Sequence, residues 1–217
     1  MNNAVEPLTT GIAAMVYFGD VVFAVSGALT AMRYRMDIIG VVLIGVVTGI
    51  GGGTIRDLII GRPVFWAQDP TEILLCIVAA VVTFFFVDDE DRRRRGMVWA
   101  DALGLAAFGV AGCAIALAQG IGWPVAILMG MITATGGGVI RDVITNTQPM
   151  ILSGQVYATA AFFGAASYVT LTALNVREAV AQLVAFACAF ALRAAAIHFD
   201  IHLGPRKNFI SLGRRKR

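Results

Sequence analysis

The chain carries one costly motif twice inside its hydrophobic stretches. Residues 51–57 read Gly-Gly-Gly-Thr-Ile-Arg-Asp, and residues 136–142, 85 positions later, read Gly-Gly-Gly-Val-Ile-Arg-Asp. Each glycine is about 1 kcal/mol less favourable in a helix than alanine. An arginine or aspartate at membrane depth is also costly unless it is paired or hydrated. Because both costs recur at matching positions, the motif predicts two broken transmembrane helices that face each other across a polar pathway.

The composition predicts a membrane protein. Hydrophobic residues make up 58% of the 217 residues and charged residues only 14%, whereas about 25% of a soluble domain is charged. A transmembrane helix needs about 20 apolar residues. We therefore predict an all-α integral membrane protein with seven transmembrane helices, at residues 10–32, 38–60, 70–87, 98–118, 122–145, 155–174 and 178–199. The net charge of +3 gives no support for nucleic acid as a partner.

Basic residues predict the orientation of the chain. Twelve of the 17 lie on one side of the predicted spans, in clusters at 33–35, 92–95 and 206–217. The positive-inside rule places this side in the cytoplasm, so the N-terminus is expected outside and the C-terminus inside. The same clusters are suited to anionic headgroups, which makes membrane lipids expected partners.

The 85-residue shift aligns residues 23–57 with residues 108–142 without a gap. We interpret this as an internal repeat of three spans. Because three is odd, the second copy must enter the membrane from the opposite face, which predicts an inverted repeat, an arrangement common in transporters. The predicted organisation is a first three-helix repeat at 1–87, a charged cytoplasmic linker forming an exposed loop at 88–97, a second, inverted three-helix repeat at 98–174, a seventh helix at 175–203 and a basic cytoplasmic tail at 204–217.

Two interpretations of the glycines remain open. Consecutive glycines permit a kink or an unwound turn, which would free carbonyls that suit a cation and amides that suit a carboxylate. Alternatively, small residues only let helices pack tightly. Both interpretations apply to the same six candidates for the pathway, Gly51, Gly52, Gly53, Gly136, Gly137 and Gly138.

The charges that follow the glycines are the strongest polar candidates. Arg56 and Asp57 in the first motif, and Arg141 and Asp142 in the second, either neutralise one another within a motif or pair across the pseudo-two-fold axis. They serve either as structural salt bridges or as a local field that controls ion access and gating. The two roles overlap, because a pair that opens and closes does both.

Further polar residues fall near the motifs. Asp20 lies about ten residues into the first span, so it is expected to be buried in protein or wetted by a cavity. Ser26 marks a small-residue site where the first span approaches the motif helices, and Asp101 is either a further candidate or an interfacial residue. Four threonines either offer hydroxyls to a hydrated path or bond their own helix backbone: Thr48, Thr54, Thr133 and Thr135.

The sequence gives little support for a metal site, an enzyme activity or a cofactor. His198 and His202 are four residues apart, but without a third ligand they are interpreted as interfacial residues, and no metal site is predicted. Arg193 is expected to extend its side chain to the same cytoplasmic interface. The sequence contains no Ser-His-Asp grouping or phosphate-binding loop, so neither enzyme activity nor a cofactor is predicted.

The duplicated Gly-Gly-Gly-x-Ile-Arg-Asp motif, the spans in groups of three, three and one, and the basic tail resemble the trimeric intracellular cation (TRIC) channel family, in its bacterial and archaeal branch. The resemblance covers nearly the whole chain. It implies a homotrimer in the plasma (inner) membrane of a prokaryote, with a pore in each protomer between the inverted repeats. That pore would be kinked at both glycine triplets and would conduct potassium and also sodium. Permeant ions and bound lipid are then the only small molecules expected.

A second function stays open beside the channel. Related bacterial proteins are also described as glycine transporters, which favours a carrier for a small zwitterion. The carboxylate of such a substrate would meet Arg56 or Arg141, and its ammonium group would meet Asp57 or freed carbonyls. Continuous and alternating access use the same inverted repeat, so the sequence does not separate them. A non-conducting scaffold leaves the duplicated charges at membrane depth unexplained.

Overall fold

The computed structural model describes residues 10–202, and the predicted basic tail at 204–217 lies outside them. The described part of the chain is helical, apart from its connections and a single β-bridge between Gln155 and His202. The all-helical prediction is confirmed. The helices are α1 (Thr10–Arg33), α2 (Ile38–Ile59), α3 (Phe65–Gln68), α4 (Thr71–Phe86), α5 (Glu90–Ala118), α6 (Trp123–Ile144), α7 (Ala158–Ala173) and α8 (Glu178–His198), with a short 3-10 helix at Met150–Leu152 before α7.

Apolar helices account for most of the described chain. Five of them, α1, α2, α5, α6 and α8, are long and apolar enough to cross a membrane, and α4 and α7 are apolar helices of 16 residues each. Large apolar side chains are exposed on the outer surface, among them Ile39, Leu58 and Phe86, of which Phe86 is 81% exposed. Such a surface is unfavourable in water and is suited to lipid or to another protein. The chain is a multi-pass membrane protein.

The charged segment between the two halves is helical. α5 begins at Glu90 and runs without interruption to Ala118. Asp89 caps this helix, because its carboxylate accepts the N–H of Arg92 at 3.0 Å, and this bond lowers the pKa of Asp89. Arginine is a good helix former, and acidic residues in the first turn complement the helix dipole. The prediction of an exposed loop is therefore wrong from Glu90 onward, although most side chains of this turn are exposed.

Four helices form the centre of the bundle, where α1 packs on α5 and α2 packs on α6. α4 packs against α1 and α2, and α7 packs in the same way against α5 and α6. α8 lies outside this arrangement and contacts α7 and α5. Arg56 and Arg141 fall in the last turns of α2 and α6. Each charged pair therefore lies about one turn beyond the glycine triplet of its own helix.

A reciprocal aromatic contact joins α1 to α5. The ring centroids of Phe23 and Phe108 lie 5.2 Å apart. Each ring covers a glycine of the opposite helix, since Phe108 lies against Gly19 and Phe23 lies against Gly104. A side chain at either glycine would overlap the ring, so these small residues set how closely the two helices approach.

Candidate functional site

The glycine triplets lie where α2 packs against α6, and both helices run through them without a break. The prediction of an unwound turn at Gly51–Gly53 and at Gly136–Gly138 is therefore wrong. A break would leave backbone amides and carbonyls without partners inside the membrane, which costs more than the poor helix propensity of glycine. The freed carbonyls and amides that were expected to bind an ion or a substrate do not occur at these two triplets.

The triplets instead bring the two backbones into contact. A Cβ atom at Gly52 would overlap the carbonyl oxygen of Thr133, and one at Gly137 would overlap the carbonyl oxygen of Thr48. A Cβ atom at Gly136 would lie only 3.1 Å from the Cα of Gly52. The crossing therefore requires glycine, and tight packing is what these residues provide in this conformation.

The four candidate threonines all bond the backbone of their own helix. Each hydroxyl donates to the carbonyl four residues earlier, at 2.6 Å for Thr48 and Thr133, 2.8 Å for Thr54 and 2.9 Å for Thr135. The Thr54 hydroxyl also accepts the indole N–H of Trp66 at 2.8 Å. The structure thus shows the backbone-bonding alternative, and the hydroxyl oxygens keep some capacity to accept further bonds.

The first charged pair, the Arg56 centre, is neutralised within its own motif. Arg56 donates through Nε to Asp57 Oδ1 at 2.9 Å, and its Nη2 lies 2.7 Å from the same oxygen. The second carboxylate oxygen of Asp57 accepts the backbone N–H of Phe65 at 3.1 Å. The Phe65 ring covers Gly53, and its centroid lies 6.0 Å from the guanidinium carbon of Arg56. This centre therefore joins the end of α2 to α3.

The second charged pair, the Arg141 centre, repeats these bonds and adds more. Arg141 donates through Nε to Asp142 at 2.8 Å, and Asp142 accepts the N–H of Met150 at 3.0 Å. Through Nη1, Arg141 also donates to Asp101 of α5 and to Ser26 of α1, both at 2.7 Å. Each arginine thus neutralises the aspartate beside it. The alternative, in which the two motifs pair across the pseudo-axis, is wrong.

Asp101 is fully buried. The structure supports its interpretation as a further candidate, because it lies about three turns inside α5 and binds Arg141. Ser26 is buried as well, and its hydroxyl donates to the carbonyl of Met97 at 3.2 Å. The Arg141 centre therefore holds α1, α5 and α6 together at one point.

Arg193 of α8 is buried on the α7 side of the Arg141 centre. It donates to the carbonyl of Val156 at 3.2 Å and to the side chain of Gln155 at 3.0 Å. Its guanidinium carbon lies 5.1 Å from the centroid of the Tyr157 ring. The expectation that Arg193 reaches the interface is wrong, because Gln155 and Val156, in the segment just before α7, supply acceptors inside the protein. A lone arginine in an alanine-rich helix was the sequence signal for such a partner.

Asp20 of α1 is fully buried, and neither of its carboxylate oxygens has a hydrogen-bond partner. Glu72 of α4, which no sequence pattern singled out, carries a further buried carboxylate oxygen without a partner. Its only sequence signal is that it is a lone acid in the first turn of an apolar helix. Within residues 10–202, no three His, Cys, Asp or Glu side chains come close enough to hold a metal ion.

These contacts define the class of protein. It is a multi-pass helical membrane protein with a glycine crossing at its centre and a buried Arg–Asp pair in the last turn of each crossing helix. A family model described as glycine transporter matches residues 13–88 and again residues 98–173, so the two matches begin 85 residues apart, as the two motifs do. The chain belongs to this family, and its predicted membership of the TRIC channel family is confirmed by the solved structures that resemble it.

Similarity to known proteins extends over most of the chain. The chain is 39% identical over 188 residues to the UPF0126 inner membrane protein YadS of Escherichia coli, covering 85% of this chain and 91% of that protein. The TRIC trimeric intracellular cation channel orthologue from Rhodobacter sphaeroides matches with a TM-score of 0.86 and 46% identity, covering 89% of this chain and 100% of that one. A prokaryotic TRIC channel in 0.5 M KCl matches with a TM-score of 0.82 and 31% identity, covering 87% and 96%.

Proposed function

We propose that this protein is a channel of the inner membrane that passes monovalent cations, potassium and also sodium. The observation that carries the proposal is a polar interior in an apolar bundle, since Arg56, Asp57, Arg141 and Asp142 are all buried about a turn from the crossing of α2 and α6. Charged groups at such depth mark ion or substrate pathways in membrane proteins. Similar TRIC structures are named as cation channels, and YadS is named as an inner membrane protein.

The proposed topology has seven transmembrane helices, in two inverted repeats at 1–87 and 98–174 that are joined by the charged segment 88–97 and followed by α8. In this topology α4 and α7, with 16 residues each, also span the membrane, each about 24 Å long. Matching bonds support the repeat, because Asp57 and Asp142 each accept the N–H of the residue eight positions later. The basic clusters favour an N-terminus outside and a basic tail in the cytoplasm.

The proposed pathway runs between the repeats and is lined by α1, α2, α5 and α6, with one Arg–Asp centre towards each end. The backbones of α2 and α6 touch at Gly52 and Gly136, which leaves no room at this level for a hydrated cation. Conduction then requires the two helices to separate or bend. We assign this bend to the glycine triplets, where a kink costs least. The remaining polar lining is assigned to Asp20, Ser26, Thr48, Thr54, Thr133 and Thr135.

Single-channel recording of the purified protein in planar bilayers tests the proposal. Unitary currents in KCl should appear with the protein, persist in NaCl and be absent with a large organic cation as the only cation. Reconstitution is checked in parallel by protease protection of the inserted chain. Correctly inserted protein that never yields unitary currents would contradict the channel function.

A carrier for a small zwitterion such as glycine is the second candidate. The description of the matching family favours it, and the guanidinium groups of Arg56 and Arg141 suit a carboxylate. Uptake of labelled glycine into liposomes separates the two functions. Saturable uptake with counterflow, in the absence of unitary currents, would replace the channel by the carrier.

We also propose a homotrimer with one pore in each protomer, surrounded by membrane lipid. The similar protein from Rhodobacter sphaeroides is named as trimeric. The exposed apolar outer surface supports contacts with neighbouring protomers and with lipid. Native mass spectrometry from mild detergent gives both the subunit number and the mass of retained lipid. A protein that remains monomeric at every concentration would contradict the trimer.

A further inference from the structure

Among the described residues, the carboxylate of Asp20 stands out because it is buried in the bundle without a hydrogen-bond partner. Asp20 has no exposed surface, and neither Oδ1 nor Oδ2 accepts a hydrogen bond. An ionised carboxylate in such a place is strongly unfavourable unless a counter-charge reaches it. The Sγ of Cys76 donates to the backbone carbonyl of Asp20 at 3.6 Å, so α4 contacts α1 at this level. Glu72 lies one turn earlier on α4.

Arg56 is the arginine whose charge acts on Asp20, but its side chain already binds another carboxylate. Arg56 binds Asp57 through both Nε and Nη2, at 2.9 and 2.7 Å. The other charge that acts on Asp20 is that of Glu72, whose Oε2 is buried and also lacks a partner. Arg62 supplies a second guanidinium near Arg56, since its charge acts on Arg56. The three carboxylates of Asp20, Asp57 and Glu72 therefore still exceed the two guanidinium groups by one. Because like charges repel strongly where water is excluded, this region calls for a further cation.

The Arg141 centre has no such excess. Asp101 and Asp142 both bind Arg141 directly, at 2.7 and 2.8 Å. The positive charge of Arg193 also interacts with the negative charge of Asp101. Two carboxylates there face two guanidinium groups, so the charges at this end of the proposed pathway balance.

Within residues 10–202, Asp20 and Glu72 have no acidic counterpart in the second repeat. The 85-residue shift places Leu105 at the position of Asp20 and Tyr157 at the position of Glu72. The acids are therefore not a by-product of the repeated motif. They are a separate feature that distinguishes the two ends of the bundle.

The acids form a series from the surface inward. Asp69, between α3 and α4, is exposed, Glu72 is half-buried and Asp20 is buried. All three charges act on Tyr17 of α1, so they belong to one region of the bundle. A path lined by charges of one sign concentrates the opposite ion and raises its rate of arrival. The series therefore has the order expected of a route for a cation towards Asp20.

We propose that Asp20 and Glu72 form a binding site for one monovalent cation, reached past Asp69. The site rests on the cation conduction proposed above and names the place where the ion pauses. Carboxylate oxygens are hard ligands that suit hard cations. A divalent metal is less suited, because within residues 10–202 no third His, Cys, Asp or Glu joins the two acids. A bound cation would cancel the excess charge and give the free carboxylate oxygens a partner.

Thermal unfolding of the purified protein in detergent tests this site without transport. At constant ionic strength, held with choline chloride, KCl or NaCl should raise the Tm, because a ligand stabilises the state that binds it. Asp20→Asn and Glu72→Gln should each raise the salt concentration that gives half of the effect by about tenfold. Asp88→Asn is the matched control, since it removes an exposed acid, and it should respond as the wild type does.

The outcomes separate this site from the channel itself. An unchanged potassium response in Asp20→Asn and Glu72→Gln would overturn the site, even in a protein that conducts. A larger response to MgCl₂ or CaCl₂ than to KCl, or no response of the wild type to any salt, would overturn it as well. A potassium response that is lost in Asp20→Asn, without unitary currents in the wild type, would keep the site and overturn the channel. Should Asp20→Asn fail to fold, Asp20→Glu and Glu72→Gln carry the test.

Discussion

Arg141 binds Asp101 at 2.7 Å, and neither side chain has any exposed surface. The bond joins α6 to α5, and the same nitrogen of Arg141 reaches Ser26 on α1. Within residues 10–202, the side-chain hydrogen bonds of Arg56 go to Asp57, its neighbour in the chain. Only one of the two Arg–Asp centres therefore ties several long helices together through its arginine.

Asp101→Asn should destabilise the protein, because it leaves Arg141 with the carboxylate of Asp142 alone. We expect the free energy of unfolding to fall by about 3 kcal/mol, the lower end for breaking a buried ion pair. Denaturant unfolding in micelles, followed by tryptophan fluorescence, measures the loss. Asp91→Asn removes an exposed acid from the same helix and should change stability by less than about 0.5 kcal/mol. Equal losses in the two variants would show that this bond does not hold α5 to α6.

Gly52→Ala should disturb the crossing of α2 and α6. The new methyl group would overlap the backbone carbonyl of Thr133, so we expect a loss of about 1–3 kcal/mol from overpacking and a reduced ion flux. The control is Gly109→Ala, where the nearest atom to a Cβ, the carbonyl oxygen of Ala161, lies at an ordinary 3.5 Å. Liposome flux and thermal unfolding of both variants make the comparison. Wild-type behaviour of Gly52→Ala would refute the close approach of the two backbones.

Arg193→Lys should loosen the segment before α7. Lysine keeps the charge but lacks the planar fork that reaches the Val156 carbonyl and the Gln155 side chain together. We expect a loss of about 2 kcal/mol and faster amide hydrogen exchange in residues 150–157. Arg177→Lys, an exposed arginine just before α8, serves as the control. Unchanged exchange in Arg193→Lys would mean that α8 does not hold this segment.

Acid should fray the first turn of α5. The bond from the Arg92 N–H to the Asp89 carboxylate lowers the pKa of Asp89 below its ordinary value of 3.8. A carboxyl group whose pKa falls on folding adds stability above its unfolded pKa and loses it as the pH drops through the folded pKa. The amide resonance of Arg92, followed by NMR as the pH falls below about 4, should report this loss. Asp89→Asn keeps a capping side chain that does not titrate, and a pH response that persists in this variant would contradict the cap.

Hydropathy located the helices well, because an apolar run inside a membrane has few alternatives to a helix. It missed the start of α5 for a related reason. The run of arginines from Arg92 to Arg95 ends the apolar stretch but not the helix, which continues beyond it and is capped by Asp89. A hydropathy pattern thus reports where the membrane ends, and capping residues report where the helix ends.

The partners of the buried charges were only partly predictable. Arg56 and Asp57 are adjacent, so their pairing within the motif was one of the two alternatives that the sequence left open. The bond of Arg141 to Asp101, and the lack of any partner for Asp20, depend on how each helix is rotated against its neighbours, which a motif and its spacing do not specify. The same holds for the close contact at the glycine triplets, because it depends on which atoms of the opposite helix face them.

The bonds from Phe65 to Asp57 and from Met150 to Asp142 attach two short surface helices, α3 and the 3-10 helix, to the ends of α2 and α6. A tilt at the end of α2 carries α3 with it, and a tilt at the end of α6 carries the 3-10 helix. Each short helix is therefore held at the end of a long helix that carries a glycine triplet. We expect an antibody fragment that binds either short helix to restrain the end of that long helix from outside, without occupying the interior.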